Sequence, residues 1–181
     1  MNFKILLLRF FTVVFVLFFQ TLYSQENDAF EDLINEGMVL LNSKEIDASI
    51  PKFEDAIKIN SSRVEGYYGL GVSYFNKCRQ GDTLYCKEAL VILERASNID
   101  RDYKKLLYFS ASTKILNKDL KGALSDLDDV IKQYPEDGYY LYNRAFLKYK
   151  MKKNDSACID LNKSCQLGEK KSCEMLENVC E

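Results

Sequence analysis

The stretch Leu141-Tyr142-Asn143-Arg144-Ala145 is followed, twelve residues after its alanine, by Ala157-Cys158-Ile159-Asp160-Leu161-Asn162-Lys163-Ser164. A small residue, a second small residue twelve on, an apolar one four further and another small one after three is a pattern the chain repeats. Its second half recurs as Ser49-Phe53-Ala56, Ala89-Leu93-Ala96 and Ala123-Leu127-Val130. Its first half recurs as Leu33 with Gly37 and Tyr67 with Gly71, and Ala111 fills the same slot in the remaining unit. The units start near Phe30, Val64, Lys104 and Gly138. Three of them span about 34 residues, the period of a helix-turn-helix repeat. The small residues let two helices approach, and the large ones fill the space beside them. Such units stack into scaffolds without an active-site cleft of their own.

Composition narrows the function. The chain has 25 basic and 27 acidic residues, which gives no reason to expect nucleic acid or an anionic membrane as partner. It has no histidine, which removes the commonest general base and metal ligand. There is no Gly-rich phosphate loop, and no cofactor is expected. Asp126, Asp128 and Asp129 lack the spacing of a calcium loop and read as a solvated helix face. The run Lys148-Tyr149-Lys150-Met151-Lys152-Lys153 reads as a helix end whose cations offset the dipole.

Residues 1–24 have the order of a secretory signal peptide. Lys4 and Arg9 precede the apolar run Phe10 to Phe19, and Leu22-Tyr23-Ser24 offers a cleavage site. The rival reading is an uncleaved anchor, with Arg9 inside the apolar stretch. Cleavage after Ser24 leaves 23 basic against 27 acidic residues. Asn27 or Asp28 then caps the first helix.

In an oxidising compartment six cysteines suggest three disulfides. Six cysteines allow fifteen pairings, and the repeat register narrows them. Cys78 and Cys86 bracket the surplus of the second unit, which is about six residues longer than its siblings. Without that insertion they would stand two positions apart. Cys158 with Cys165, and Cys173 with Cys180, each share a helix face, with Gly168 a helix stop between the pairs. An antiparallel hairpin pivoting on Glu169 sets Cys165 opposite Cys173 and Cys158 opposite Cys180. Tetrahedral zinc on the four C-terminal thiolates, or a thiol-active protein, is the alternative from another class. A self-associating structural protein is a third.

These positions resemble the tetratricopeptide repeat (TPR) family. The resemblance covers residues 30 to about 171, with repeats at about 30–63, 64–103, 104–137 and 138–171 and a cap at 172–181. Pro135 closes the third unit as the family pattern asks. The other units lack that proline, Ser49 stands where Ala is usual, and Lys114 stands where an aromatic is usual. The resemblance implies an all-α, right-handed superhelical stack of four helix pairs in residues 25–181. It implies no enzyme but a scaffold that binds a protein or peptide in a concave groove lined by the first helix of each unit. Carried onto this chain, the groove takes Tyr68 and Phe75 from the second unit, Lys105 and Tyr108 from the third, and Tyr139, Tyr142, Phe146 and Tyr149 from the fourth. With the leader, this describes an adaptor exported to the periplasm or cell envelope. The subtype that clamps a chaperone's terminal carboxylate is not implied, because Ile34, Met38, Gly69 and Phe109 occupy its cationic and amide positions and only Lys105 matches.

Overall fold

A computed structural model describes residues 3–103 and 105–180, with side chains from Thr12 onward. Lys4 and Arg9 of the leader therefore lie outside the described side chains, as do Lys104 and Glu181. Among the described residues there are nine helices and no strand: α1 (Phe3–Asn42), α2 (Ile46–Ile59), α3 (Val64–Arg79), α4 (Thr83–Ile99), α5 (Leu106–Leu116), α6 (Leu120–Gln133), α7 (Gly138–Lys150), α8 (Asn154–Gln166) and α9 (Lys170–Val179). Each packs on the next in sequence, and α3 also touches α1 and α5. This is a stack of helix pairs.

The repeated small residues sit where the helices meet. Ala56, Ala89, Ala96, Ala123, Ala145 and Ala157 are wholly buried, and Phe53, Leu93, Leu127 and Leu161 fill the space beside them. Burying a side chain of that size stabilises by roughly 1.5–3 kcal/mol. Gly37 and Gly69 both lie against the Phe53 ring. The buried hydroxyls of Ser49 and Ser73 satisfy each other at 2.9 Å, so serine costs little where alanine is usual.

The five helix-to-helix turns that close hairpins share one geometry. Lys44, Gly81, Lys118, Lys152 and Gly168 all have positive φ. In each turn the positive-φ residue and its successor donate back to two carbonyls of the preceding helix, as Lys118 does to Ile115 and Asp119 to Lys114. This is the Schellman closure, which spares the last carbonyls of a helix from going unpaired. Aspartates start two of the following helices, α4 and α6, and one more starts α7 after Pro135. Asp82, Asp119 and Asp137 accept from the backbone N–H of Leu84, Gly122 and Tyr139.

One local expectation changes, and one proline stands inside a helix. Asn27 and Asp28 do not cap a helix, because α1 runs unbroken from Phe3 through both. No glycine or proline interrupts residues 3–36, and once a helix is nucleated each further residue adds its bond cheaply. Pro51 is the sixth residue of α2, past the first turn. The carbonyl it leaves without a donor, that of Asp47, belongs to an exposed residue that water can reach.

Candidate partner-binding groove

α5 and α7 carry the rings that matter. On α7, Tyr139 is 39%, Phe146 40% and Tyr149 38% exposed, large values for aromatic side chains in a folded domain. Tyr142 is half-buried, its ring centroid 6.4 Å from that of Phe146. The hydroxyls of Tyr108 on α5 and Tyr139 on α7 are bonded at 2.7 Å, which ties the two helices together at their N-terminal ends. Burial and that bond to Tyr108 push the Tyr139 hydroxyl up to about 12. Lys105 is the N-cap residue of α5 rather than a member of the helix, and it is exposed.

Tyr68 and Phe75 are elsewhere. Both are buried, at 8% and 6% exposure, so they wall the core instead of lining an open surface. The cause is Phe109, whose ring centroid lies 5.9 Å from Tyr68 and 5.4 Å from Phe75. It fills the cleft between α3 and α5. Tyr103 adds a further edge-on ring against Tyr68. The open aromatic surface is confined to the C-terminal half of the stack.

The electrostatic frame beneath that surface is built from the second helices. Arg144 of α7 meets Asp160 of α8 through two nitrogens, at 2.7 and 2.8 Å, and Asp128 of α6 through a third. Lys148 adds a contact to Asp160 at 2.8 Å. The Asp160 side chain is only 5% exposed, while Asp128 keeps 44% of its own in contact with solvent, so the cluster is charge-balanced and buried at Asp160 alone. The hydrogen bond to Asp160 leads the contacts that raise the Arg144 guanidinium pKa further. Lys114 pairs with Asp126 at 2.7 Å, and Asp129 pairs with Arg101 and Lys132. The three aspartates are thus not merely solvated: Asp126 is largely covered, while Asp128 and Asp129 stay partly open to solvent. Each reaches a cation on a different element. Lys148 likewise serves a partner helix as well as its own dipole.

The cysteines pair as Cys78–Cys86, Cys158–Cys180 and Cys165–Cys173, with Cα–Cα distances of 4.8, 5.8 and 4.8 Å. The first closes the inserted loop of the second pair, and the other two staple α9 to α8. The four sulfurs that a tetrahedral zinc would need are bonded to one another.

No family model matches the sequence, and no curated protein matches it. Solved structures match in shape. The fragment of MamA from Desulfovibrio magneticus RS-1 running from residue 41 to its end superposes with a TM-score of 0.72 at 16% identity, covering 82% of each chain. TTC0263, a thermophilic TPR protein of Thermus thermophilus, gives 0.70 at 16% identity over 83% of this chain and 80% of its own. PilF of Pseudomonas aeruginosa gives 0.68 at 19% identity over 79% of this chain and 63% of its own. At such identities the likeness is one of fold alone. What the small-residue register implied, these superpositions bear out: the chain has the tetratricopeptide-repeat fold.

Proposed function

We propose that this protein is a non-catalytic scaffold that binds a protein or peptide across the open faces of α5 and α7. The observation that carries this reading is the set of three well-exposed rings on one helix, Tyr139, Phe146 and Tyr149. Large exposed rings on a rigid element are good anchors for a partner, because they offer contact area at little rotamer cost. Repeat stacks of this kind use their concave surfaces for binding. Tyr108, Tyr142 and Lys105 complete the groove in this reading.

The place of action in this reading is the bacterial envelope, after removal of residues 1–24. Three disulfides suit an oxidising compartment. The part of α1 that cleavage would remove carries exposed Val13, Phe15, Phe18 and Phe19, which suits a leader better than a soluble domain. Among the described residues no helix is long and apolar enough to cross a membrane.

The test is crosslinking in the native envelope followed by affinity capture, with wild type compared to Tyr142→Ala/Phe146→Ala. The expected result is one recurrent partner whose affinity for purified protein falls at least about tenfold in the double variant. Capture that is the same for both proteins overturns the groove. Mass analysis that finds Ser24 still joined to Gln25 in the exported protein overturns the cleavage.

A further inference from the structure

A cut after Ser24 makes Gln25 the first residue of the chain. A glutamine in that place has a reaction open to it that an interior glutamine lacks, because its freed α-amine can reach its own side-chain amide carbon. The structure leaves both groups at liberty. The polar fastening of α1 to the stack begins at Asn27. Arg63, the residue that opens α3, donates to Asn27 Oδ1 at 3.3 Å and to Glu31 Oε1 at 2.7 Å. Its guanidinium also lies 4.1 Å from the centre of the Phe30 ring. Phe30 is the first buried side chain among those described. Gln25 stands ahead of all three, exposed, and among the described residues its side chain makes no hydrogen bond.

Resting on the reading of residues 1–24 as a cleaved leader, we propose that Gln25 is a modification site, closed in the mature chain to a 5-oxoproline (pyroglutamyl) residue. The α-amine nitrogen attacks the side-chain Cδ. A new C–N bond forms, the bond from Cδ to the amide nitrogen breaks, and ammonia leaves with the proton that the amine gives up. The product is a five-membered lactam, and no oxidant, reductant or second substrate is consumed. An α-amine has an ordinary pKa of about 7.7–8.0, so about a tenth of it is the free base near pH 7. Nucleophile and carbonyl belong to one residue, so their encounter costs only the turning of exposed side-chain bonds. The product suits its place. In the shortened chain the α-ammonium would stand at the positive end of the α1 dipole, two residues from the Asn27 that Arg63 already reaches. The lactam removes that cation. It also leaves no primary amine for an aminopeptidase to hold, at the end of the stack where α1 and α2 carry none of the three disulfides.

The experiment is peptide mapping by mass spectrometry of the full-length gene product recovered from the cells that make it. Free amines are dimethylated at lysis, so that a lactam formed in handling is told apart from one present in the cell. The expected result is an amino-terminal peptide that begins at position 25, is one ammonia lighter than its sequence requires and carries no label on its first residue. Gln25→Ala, produced in parallel, is expected to carry a labelled α-amine and to be trimmed by an aminopeptidase towards Phe30. The wild type is expected to be trimmed only after a pyroglutamyl peptidase has removed the ring. A peptide that begins at Gln25 with full mass and a labelled amine overturns the lactam and leaves the cleavage standing. A peptide that begins at another residue, or in which Ser24 is still joined to Gln25, overturns both. Equal trimming of wild type and Gln25→Ala, without the ring-removing peptidase, overturns the protection.

Discussion

The Phe53 ring of α2 lies so close to the backbone of Gly69 on α3 that a Cβ placed there would stand 2.2 Å from its Cε1. Gly37 of α1 flanks the same ring, with a Cβ at 2.7 Å. Phe53 is fully buried, so it has no room to withdraw. Gly69→Ala is expected to destabilise by about 2–3 kcal/mol through overpacking. Urea unfolding followed by circular dichroism measures it, and an unchanged midpoint would show that the first two units can slide apart at no cost.

Asp160 is held by both Arg144 and Lys148 in a nearly closed environment. Arg144→Ala removes the bidentate partner and leaves two carboxylates, Asp160 and Asp128, with one lysine. The expected loss is about 3 kcal/mol, as for other buried pairs broken on one side. Lys132→Ala, which removes an exposed partner of Asp129, is expected to cost less than about 0.5 kcal/mol. The same denaturation assay compares the two.

Three of the five hairpin turns hold a lysine in the left-handed region, with φ of 65° at Lys44, 64° at Lys118 and 59° at Lys152. A side chain with a Cβ is disfavoured there, and glycine is not. Lys118→Gly and Lys152→Gly are each expected to raise stability by about 0.5–1 kcal/mol, the relief of strain exceeding the added chain entropy. A rise in thermal midpoint confirms this. A fall would mean that the lysine stems contribute packing that the turn geometry does not reveal.

The helix pairs, their order and the cysteine pairing were legible in the sequence, because each rests on local spacing. Gly168 was legible as a turn for the same reason. Lys44, Lys118 and Lys152 were not, since lysine carries no turn signal and only the return hydrogen bonds disclose the turn. In the full chain Asn27 and Asp28 start no helix, because nothing stops the chain before them and α1 runs through both. Nothing in the spacing around Phe109 shows that it seals Tyr68 and Phe75. Its neighbours lie on α3, more than thirty residues earlier. Asp126, Asp128 and Asp129 looked solvated for the same reason, because their partners stand 12, 16 and 28 residues away.

The cystine at Cys158–Cys180 closes a segment with a sequence separation of 22 around the shorter Cys165–Cys173 loop. Cys158→Ser/Cys180→Ser is expected to cost about 3 kcal/mol by the chain-entropy account. The loss should be local. Hydrogen exchange at Ser172, which bonds Ser164 at 2.6 Å, should quicken while exchange in α2 and α3 stays as it was. Equal quickening throughout would mean that the staple supports the whole stack.

Burial pushes the hydroxyls of Tyr68 and Tyr140 up to about 12, and burial together with Glu54 does the same to Tyr74. The unfolded chain releases these protons near pH 10. A raised folded pKa means stability that is complete below about 10 and is lost as pH climbs through about 12. Tyrosinate absorbance from these three, and from Tyr139, should therefore rise only as pH climbs towards about 12, and for the first three together with loss of helix. A single early phase with the helices intact would show that the rings are open to solvent.

The covalent ties are placed unevenly along the stack. One lies within the second helix pair, two bolt the far end, and none touches α1 or α2. In a linear array each unit leans only on its neighbours, so disassembly starts where restraint is weakest. Heat, pulling or a protease should therefore peel this molecule in one direction, from its amino end inward, and the ringed face over α5 and α7 would be among the last parts to come undone.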